Sequence, residues 1–142
     1  RIYTFAAAIV PHRAEGSRVW GAVTDAWLIE ELKRYGVVQR GDYQIRGLNG
    51  LLLGVAKERG ITAVCLLGET LQLFAEMENP RASLSVLRAL TEILKIDIDL
   101  GELAEQAERA DEEMERISKE TMSDYIDHFT HPIWEREEEE NE

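Results

Sequence analysis

At 142 residues the chain has the length of one domain and can bury a substantial core. Its formal charge of −12 at pH 7 argues against nucleic acid as a partner, because phosphate binding needs clustered Lys and Arg and this surface would repel a polyanion. No apolar run approaches the roughly 20 residues of a membrane-spanning helix, no signal-peptide pattern is present, and a single cysteine provides no disulfide framework, so no membrane partner and a cytoplasmic location are expected.

Ile2 to Val10 reads as a buried strand that stops at Pro11. Because this strand pattern begins immediately after Arg1, the chain is expected to be the C-terminal portion of a larger α/β domain whose N-terminal part is missing. A polar loop follows, carrying His12, Arg13 and Arg18. Val19 to Val23 is expected as a second strand, with Gly21 permitting close backbone approach. Thr24 or Asp25 is expected to cap a helix from Ala26 to Tyr35, with Trp27, Leu28 and Leu32 facing inward and Gly36 ending it. Val37 to Arg40 and Tyr43 to Arg46 flank Gly41 and Asp42, either as a tight hairpin or as two short pieces around a turn.

The stretch from Asp42 to Thr70 organises the chain. Its centre is an α/β unit: an apolar helix from about Asn49 to Arg59, a stop at Gly60, and a buried strand from Ile61 to Leu67. Gly47, Gly50 and Gly54 lie on one stripe of that helix, which points to close backbone approach, since glycine costs a helix about 1 kcal/mol relative to alanine. Leu51, Leu52, Leu53, Val55 and Ala56 make the remainder so apolar that cover on nearly all sides is expected. The turn from Gly47 to Gly50 resembles a phosphate cradle but lacks the Gly-x-Gly-x-x-Gly pattern and the Lys-Ser/Thr ending, so close packing is the preferred explanation. Cys65 reads as a buried, inert thiol. Gly68-Glu69-Thr70 is expected as a turn at the carboxyl end of a strand, where open α/β sheets place ligands.

Asn79 followed by Pro80 is a helix start, and Leu84, Val86, Leu87, Leu90, Ile93 and Leu94 supply the buried face of a helix running to about Lys95. Asp99 and Glu102 resemble a capping box for a last long helix. On it Leu100, Leu103, Ala107, Ala110, Met114 and Ile117 recur at spacings of three and four, a narrow seam that packs on a helix of the same subunit or of another. Tyr125, Ile126, Phe129, Ile133 and Trp134 form a docking segment ahead of an acidic tail that starts at Glu135. The expected organisation is an α/β core over 1–98, a helical extension over 99–134 and the tail over 135–142.

Chemistry-bearing residues are sparse. His12, Asp25 and Glu69 are the nearest acid/base candidates, but nothing in their spacing implies convergence and no nucleophile elbow is present. Asp124, His128 and His131 have spacings compatible with metal ligation, yet Pro132 biases His131 away from helical geometry, and a surface helix end is preferred. No catalytic residue, cofactor or metal is expected. The candidate oligomer or partner interface comprises Leu103, Ala107, Ala110, Met114, Ile117, Tyr125, Phe129 and Trp134. The alternative is an anion-holding pocket formed by His12, Arg13, Glu69 and Thr70.

The run Gly47-Leu-Asn-Gly-Leu-Leu-Leu-Gly-Val-Ala-Lys-Glu-Arg-Gly-Ile61, then Leu66-Leu-Gly-Glu-Thr70, Asn79-Pro-Arg-Ala82 and Ile98-Asp-Leu100 resemble the archaeal members of the proteasome assembly chaperone family. These are homologues of the second subunit of the eukaryotic assembly chaperone, and the resemblance runs from about Val19 to Ile117. It implies a phosphorylase-like open α/β sheet flanked by helices, with a C-terminal helical extension. It also implies an ATP-independent, non-catalytic chaperone or scaffold that binds proteasome subunits, assembly intermediates or other assembly factors. Members that dock on the proteasome α-ring can use a tail of hydrophobic residue, tyrosine and any residue. This chain ends Glu-Glu-Glu-Glu-Asn-Glu, so the resemblance is nearer to the archaeal homologue that forms a homopentamer. The alternative it leaves is a nucleoside- or phosphate-binding enzyme on the same scaffold.

Overall fold

The run Ala63–Leu71 forms a strand whose first eight positions are buried. A strand covered on both faces needs apolar side chains in both directions, which is why Ala63 to Leu67 reads as a continuous apolar run rather than an alternation. A computed structural model of the chain describes residues 1–11, 17–39 and 45–130, with side chains as far as 126. In chain order it comprises β1 (Ile2–Val10), β2 (Val19–Val23), α1 (Trp27–Lys33), β3 (Val37–Val38), α2 (Gly47–Glu58), β4 (Ala63–Leu71), a 3-10 turn (Gln72–Phe74), α3 (Pro80–Leu94) and α4 (Gly101–Thr130). The strands lie in the order β1-β4-β2-β3. β1 runs parallel to β4, β2 antiparallel to β4, and β3 parallel to β2.

Each face of this mixed sheet has its own core. On one face Val64 and Leu66 meet Leu28 and Leu32 of α1 and Val86 and Ala89 of α3. On the other, Ala63, Cys65 and Leu67 join Ala8 of β1 and Leu53 and Ala56 of α2. The expected open α/β sheet flanked by helices is therefore what the chain forms. Cys65 is fully buried, and burial pushes its thiol pKa up.

Several local expectations are corrected. Gly68, Glu69 and Thr70 are not a turn but the second half of β4, because the nine residues of β1 continue the ladder to Leu71. Thr24 does not cap α1: its hydroxyl accepts the Ala63 N–H at 3.0 Å and donates to Asp25 Oδ2 at 2.6 Å, so it prolongs the contact of β2 with β4. Trp27 does not face inward. The helix begins at Trp27, only Leu28 and Leu32 are aimed at the sheet, and the indole lies outside beneath the Arg1 guanidinium, 5.4 Å from the ring centre. Arg1 also grips both carboxylate oxygens of Glu31, at 2.5 and 3.1 Å, which holds that carboxyl below its usual range. β1 is buried only in part, with Phe5 and Ile9 exposed, and Leu94 of α3 is exposed as well. The predicted hairpin turn at Gly41 and Asp42 lies outside the described residues, and β3 itself pairs parallel to β2.

The glycine stripe of α2 divides into three separate causes. Gly47 opens the helix, two residues earlier than expected, with φ of +70°, a backbone state that glycine adopts without strain. A Cβ on Gly50 would run into the Ile45 carbonyl, so that glycine lets the chain enter the helix. Gly54 has open space where a side chain would be.

α3 is placed by two features. Asn79 caps it by accepting the Ala82 N–H at 3.0 Å, and its amide donates to the Thr70 hydroxyl at 3.2 Å, tying the helix start to the end of β4. Gly68 then lets the helix lie close to the sheet, because a Cβ there would sit 2.8 Å from the Ala82 carbonyl oxygen and 2.9 Å from its Cβ. Gly68→Val is expected to cost roughly 1–3 kcal/mol in urea unfolding, by forcing α3 off the sheet, while Gly54→Ala is expected to leave stability unchanged or raise it. Cys65 is expected to resist a thiol reagent in the native state and to react fully in denaturant; stoichiometric native labelling would contradict its placement.

Candidate functional site

Glu69 and Thr70 are neighbours in β4, so the strand pleat sends their side chains to opposite faces. Thr70 turns toward α3 and receives the Asn79 amide. Glu69 turns the other way and accepts Trp20 Nε1–H at 3.1 Å. Both are buried. Asp25 lies at the far end of β4, next to Ala63, about 20 Å from Glu69 at a strand's rise per residue. His12 and Arg13 are outside the described residues. Of the alternative pocket's residues only Glu69 and Thr70 are described, and their side chains do not converge; of the acid/base candidates, Asp25 is remote from Glu69.

A groove of about 510 Å³ opens between β1, β4 and α3 at the carboxyl end of the sheet. Its walls include the apolar Phe5, Met77, Val86 and Leu87 and the neutral polar Thr70, Asn79 and Ser83, and no ionisable side chain lines it among the described residues. Such a lining suits apolar side chains and carries no cation for an anionic substrate. Glu69 instead borders a separate cavity of about 20 Å³ shared with Arg81 and Asp111, roughly the room one water needs.

The predicted seam on α4 lies against α3 within the chain. Ala107 and Met114 are buried, and Leu103, Ala110 and Ile117 are half-buried. Arg81 Nε of α3 reaches Asp111 Oδ2 of α4 at 2.7 Å, and both side chains are about three-quarters shielded. The helix start is organised by Asp99, whose carboxylate accepts the Gly101 N–H at 2.9 Å, while Glu102 turns forward to Gln106. From Lys119 to Ile126 every side chain is exposed. Met122, Tyr125 and Ile126 form one stripe there at i, i+3 and i+4; Met122 was not singled out in the sequence although that spacing marks it. The Phe129 side chain and Trp134 lie outside the described residues, as do the His128 side chain and His131, and no group of metal-ligating residues occurs among those described.

Two further surfaces are open. Ile2 N–H donates to the Thr62 carbonyl, so in a parallel ladder Tyr3, Phe5, Ala7 and Ile9 direct their polar backbone groups away from β4, along the sheet edge. Asn49 of α2 donates to the Phe5 carbonyl on that edge at 2.9 Å. On α2 itself Leu48, Leu51 and Leu52 are exposed, so the cover expected on nearly all sides is not supplied by the described residues.

These features define an open-sheet α/β domain with a long helix laid on one of its covering helices. Residues 1–118 match the model of the PAC2 family, and the chain belongs to that family. A protein of Methanocaldococcus jannaschii, described as uncharacterized, is 32% identical over 119 residues, covering 83% of this chain and 45% of that protein. The crystal structure of Pyrococcus furiosus PbaB, an archaeal proteasome activator, is 34% identical with a TM-score of 0.71, over 82% of this chain and 50% of that one. Pyrococcus furiosus PbaA, an archaeal homologue of proteasome-assembly chaperone, shares the fold with a TM-score of 0.69 at 24% identity, over 92% of this chain and 56% of that one. The chain thus spans about half the length of these relatives. The resemblance to archaeal proteasome assembly chaperones drawn from the sequence agrees with these structures.

Because Arg81 and Asp111 are largely shielded but not buried, a double-mutant cycle of Arg81→Ala and Asp111→Ala is expected to give a coupling of about 1 kcal/mol or less in chemical unfolding. Faster amide exchange across α4 than across β4 should accompany either single change.

Proposed function

We propose that this chain is part of a non-catalytic chaperone or scaffold that assists proteasome assembly by holding proteasome subunits or assembly intermediates. The observation that carries this reading is the amount of apolar surface turned outward on three separate elements: Phe5 and Ile9 on β1, Leu48, Leu51 and Leu52 on α2, and Met122, Tyr125 and Ile126 on α4. Exposed apolar stripes of this kind suit contact with other polypeptide. The groove at the sheet end, mainly apolar and without an ionisable side chain among the described residues, favours the same kind of contact over a phosphate. The class of partner is suggested by the relatives, one described as an archaeal proteasome activator and another as a homologue of proteasome-assembly chaperone.

On this reading the α/β core over 1–98 is the scaffold and offers the outward apolar surface of β1 and α2, the extension over 99–134 adds that of α4, and the acidic segment over 135–142 is presented to partners. The protein acts as a homo-oligomer, with five copies as the expected number, in the cytoplasm. No helix among the described residues is long and apolar enough to cross a membrane.

Tagged full-length protein mixed with recombinant proteasome α subunits is expected to retain them, together with their partly assembled rings. Recovery of none, with the same bait folded by circular dichroism, would reject the proteasome as partner. Light scattering on the 142-residue chain should give a multiple of 16.2 kDa, and a monomer at micromolar concentration would reject the oligomer.

A further inference from the structure

We propose that the outer edge of β1, with the groove between it and α3, receives an extended, uncharged segment of a partner polypeptide as an additional strand of the sheet. This rests on the reading above of a chain that holds other polypeptide, and it specifies the surface used and the form in which the partner is held.

The edge fixes that form. Tyr3, Phe5, Ala7 and Ile9 turn their backbone N–H and C=O groups away from β4, and among the described residues only the Asn49 amide, at the Phe5 carbonyl, bonds to this row. Donors and acceptors that recur at every second residue along a nine-residue strand are matched in spacing by another extended backbone. The exposed leucines of α2 offer no such row, because a helix bonds its own backbone.

β1 also lacks the devices that shield an edge. Its run Ile-Tyr-Thr-Phe-Ala-Ala-Ala-Ile-Val contains no charged residue and no proline, and its register with β4 has no bulge. So continuous an apolar run is the composition of a strand inside a sheet, yet β1 ends the order β1-β4-β2-β3. The opposite edge, β3, has two residues, so a second copy adding it head to tail would leave most of the row unmatched.

The groove fixes the side chains. Tyr3, Phe5, Ala7 and Ile9 pair with Val64, Leu66, Gly68 and Thr70, so their side chains stand on the face that α3 covers. α3 lies over β4 and leaves Phe5 and Ile9 about half exposed beside it. Between them lies the opening of about 510 Å³, and every second side chain of an added strand enters it. Apolar and neutral polar side chains suit its lining. A charged one would give up its water with no counter-charge in the groove among the described residues. Backbone pairing along the edge then supplies affinity, and the groove supplies selection.

The test follows amide exchange by NMR in the 142-residue protein, with a capped heptapeptide of alternating Thr and Val as the probe. In the protein alone the Tyr3, Phe5, Ala7 and Ile9 amides are expected to exchange fast, and those of Thr4, Ala6 and Ala8 slowly. The peptide should slow the first set several-fold; the same peptide with Asp in place of Val, or with Pro at alternate positions, should not. Ala7→Pro removes one outward N–H where an edge strand tolerates proline, and should weaken peptide binding several-fold at an unchanged melting temperature. Should that variant unfold, the proline-containing peptide makes the same comparison from the other side. Outward amides already slow in the protein alone would show the edge occupied, by a second copy if dilution quickens them and by the chain itself if it does not. Either result overturns the inference, as does the absence of slowing by the Thr-Val peptide. Equal retention of proteasome α subunits by Ala7→Pro and by the parent protein would overturn it while leaving the assembly reading standing. Failure of the parent protein to retain them, with slowing by the peptide intact, would reject the proteasome as partner and support the edge as a site for extended polypeptide.

Discussion

The structure depends on the burial of β4 on both faces. Leu66, Val64 and Cys65 are wholly withdrawn from water. Burying a side chain of the size of leucine contributes about 1.5–3 kcal/mol. A strand buried in this way must have a strand on each side to satisfy its backbone, and it has them in β1 and β2. Everything else is positioned by reference to it: α2 covers one face, α1 and α3 cover the other, and α4 is held by α3.

The same constraint decides what the carboxyl end of the sheet can do. Because β4 continues as strand through Glu69 and Thr70, its alternation separates the two polar side chains that would have had to cooperate in a pocket. Each is then used to hold the fold, Glu69 by Trp20 and Thr70 by Asn79. Gly68 between them has no side chain, which brings α3 close to the strand through Ala82. The strand end thus positions a helix, and that helix positions α4. Exposed apolar side chains remain on the outside, at the edge of β1, on α2 and along the end of α4.

Membership of the PAC2 family fits this division between a rigid interior and an apolar exterior. In an α/β enzyme the loops at strand ends converge polar groups on a substrate. Here the groove in that place is mainly apolar, with Thr70, Asn79 and Ser83 as its neutral polar lining among the described residues. Many of the exposed apolar side chains, among them Phe5, Leu48, Leu51 and Met122, lie on regular elements, where spacing and direction are set by backbone geometry.

Local signals in the sequence determined the elements of this protein. The apolar run of β1 ending at Pro11, the short run at β2, the Asn79-Pro80 start of α3 and the periodic seam of α4 are governed by neighbours in the chain, and they appear where the sequence places them. The cap is a contact three residues away, so it too is legible. What only the tertiary structure decided depends on partners distant in sequence. Whether Gly68 to Thr70 turned or continued as strand was settled by the length of β1, more than fifty residues earlier. Whether Trp27 faced inward was settled by where α1 meets the sheet and by Arg1 above it. Whether the seam of α4 stayed inside the chain was settled by the reach of α3, which covers Ala107 and Met114 and ends before Met122. Periodicity states which side of a helix is apolar; only the fold states how much of that side is covered.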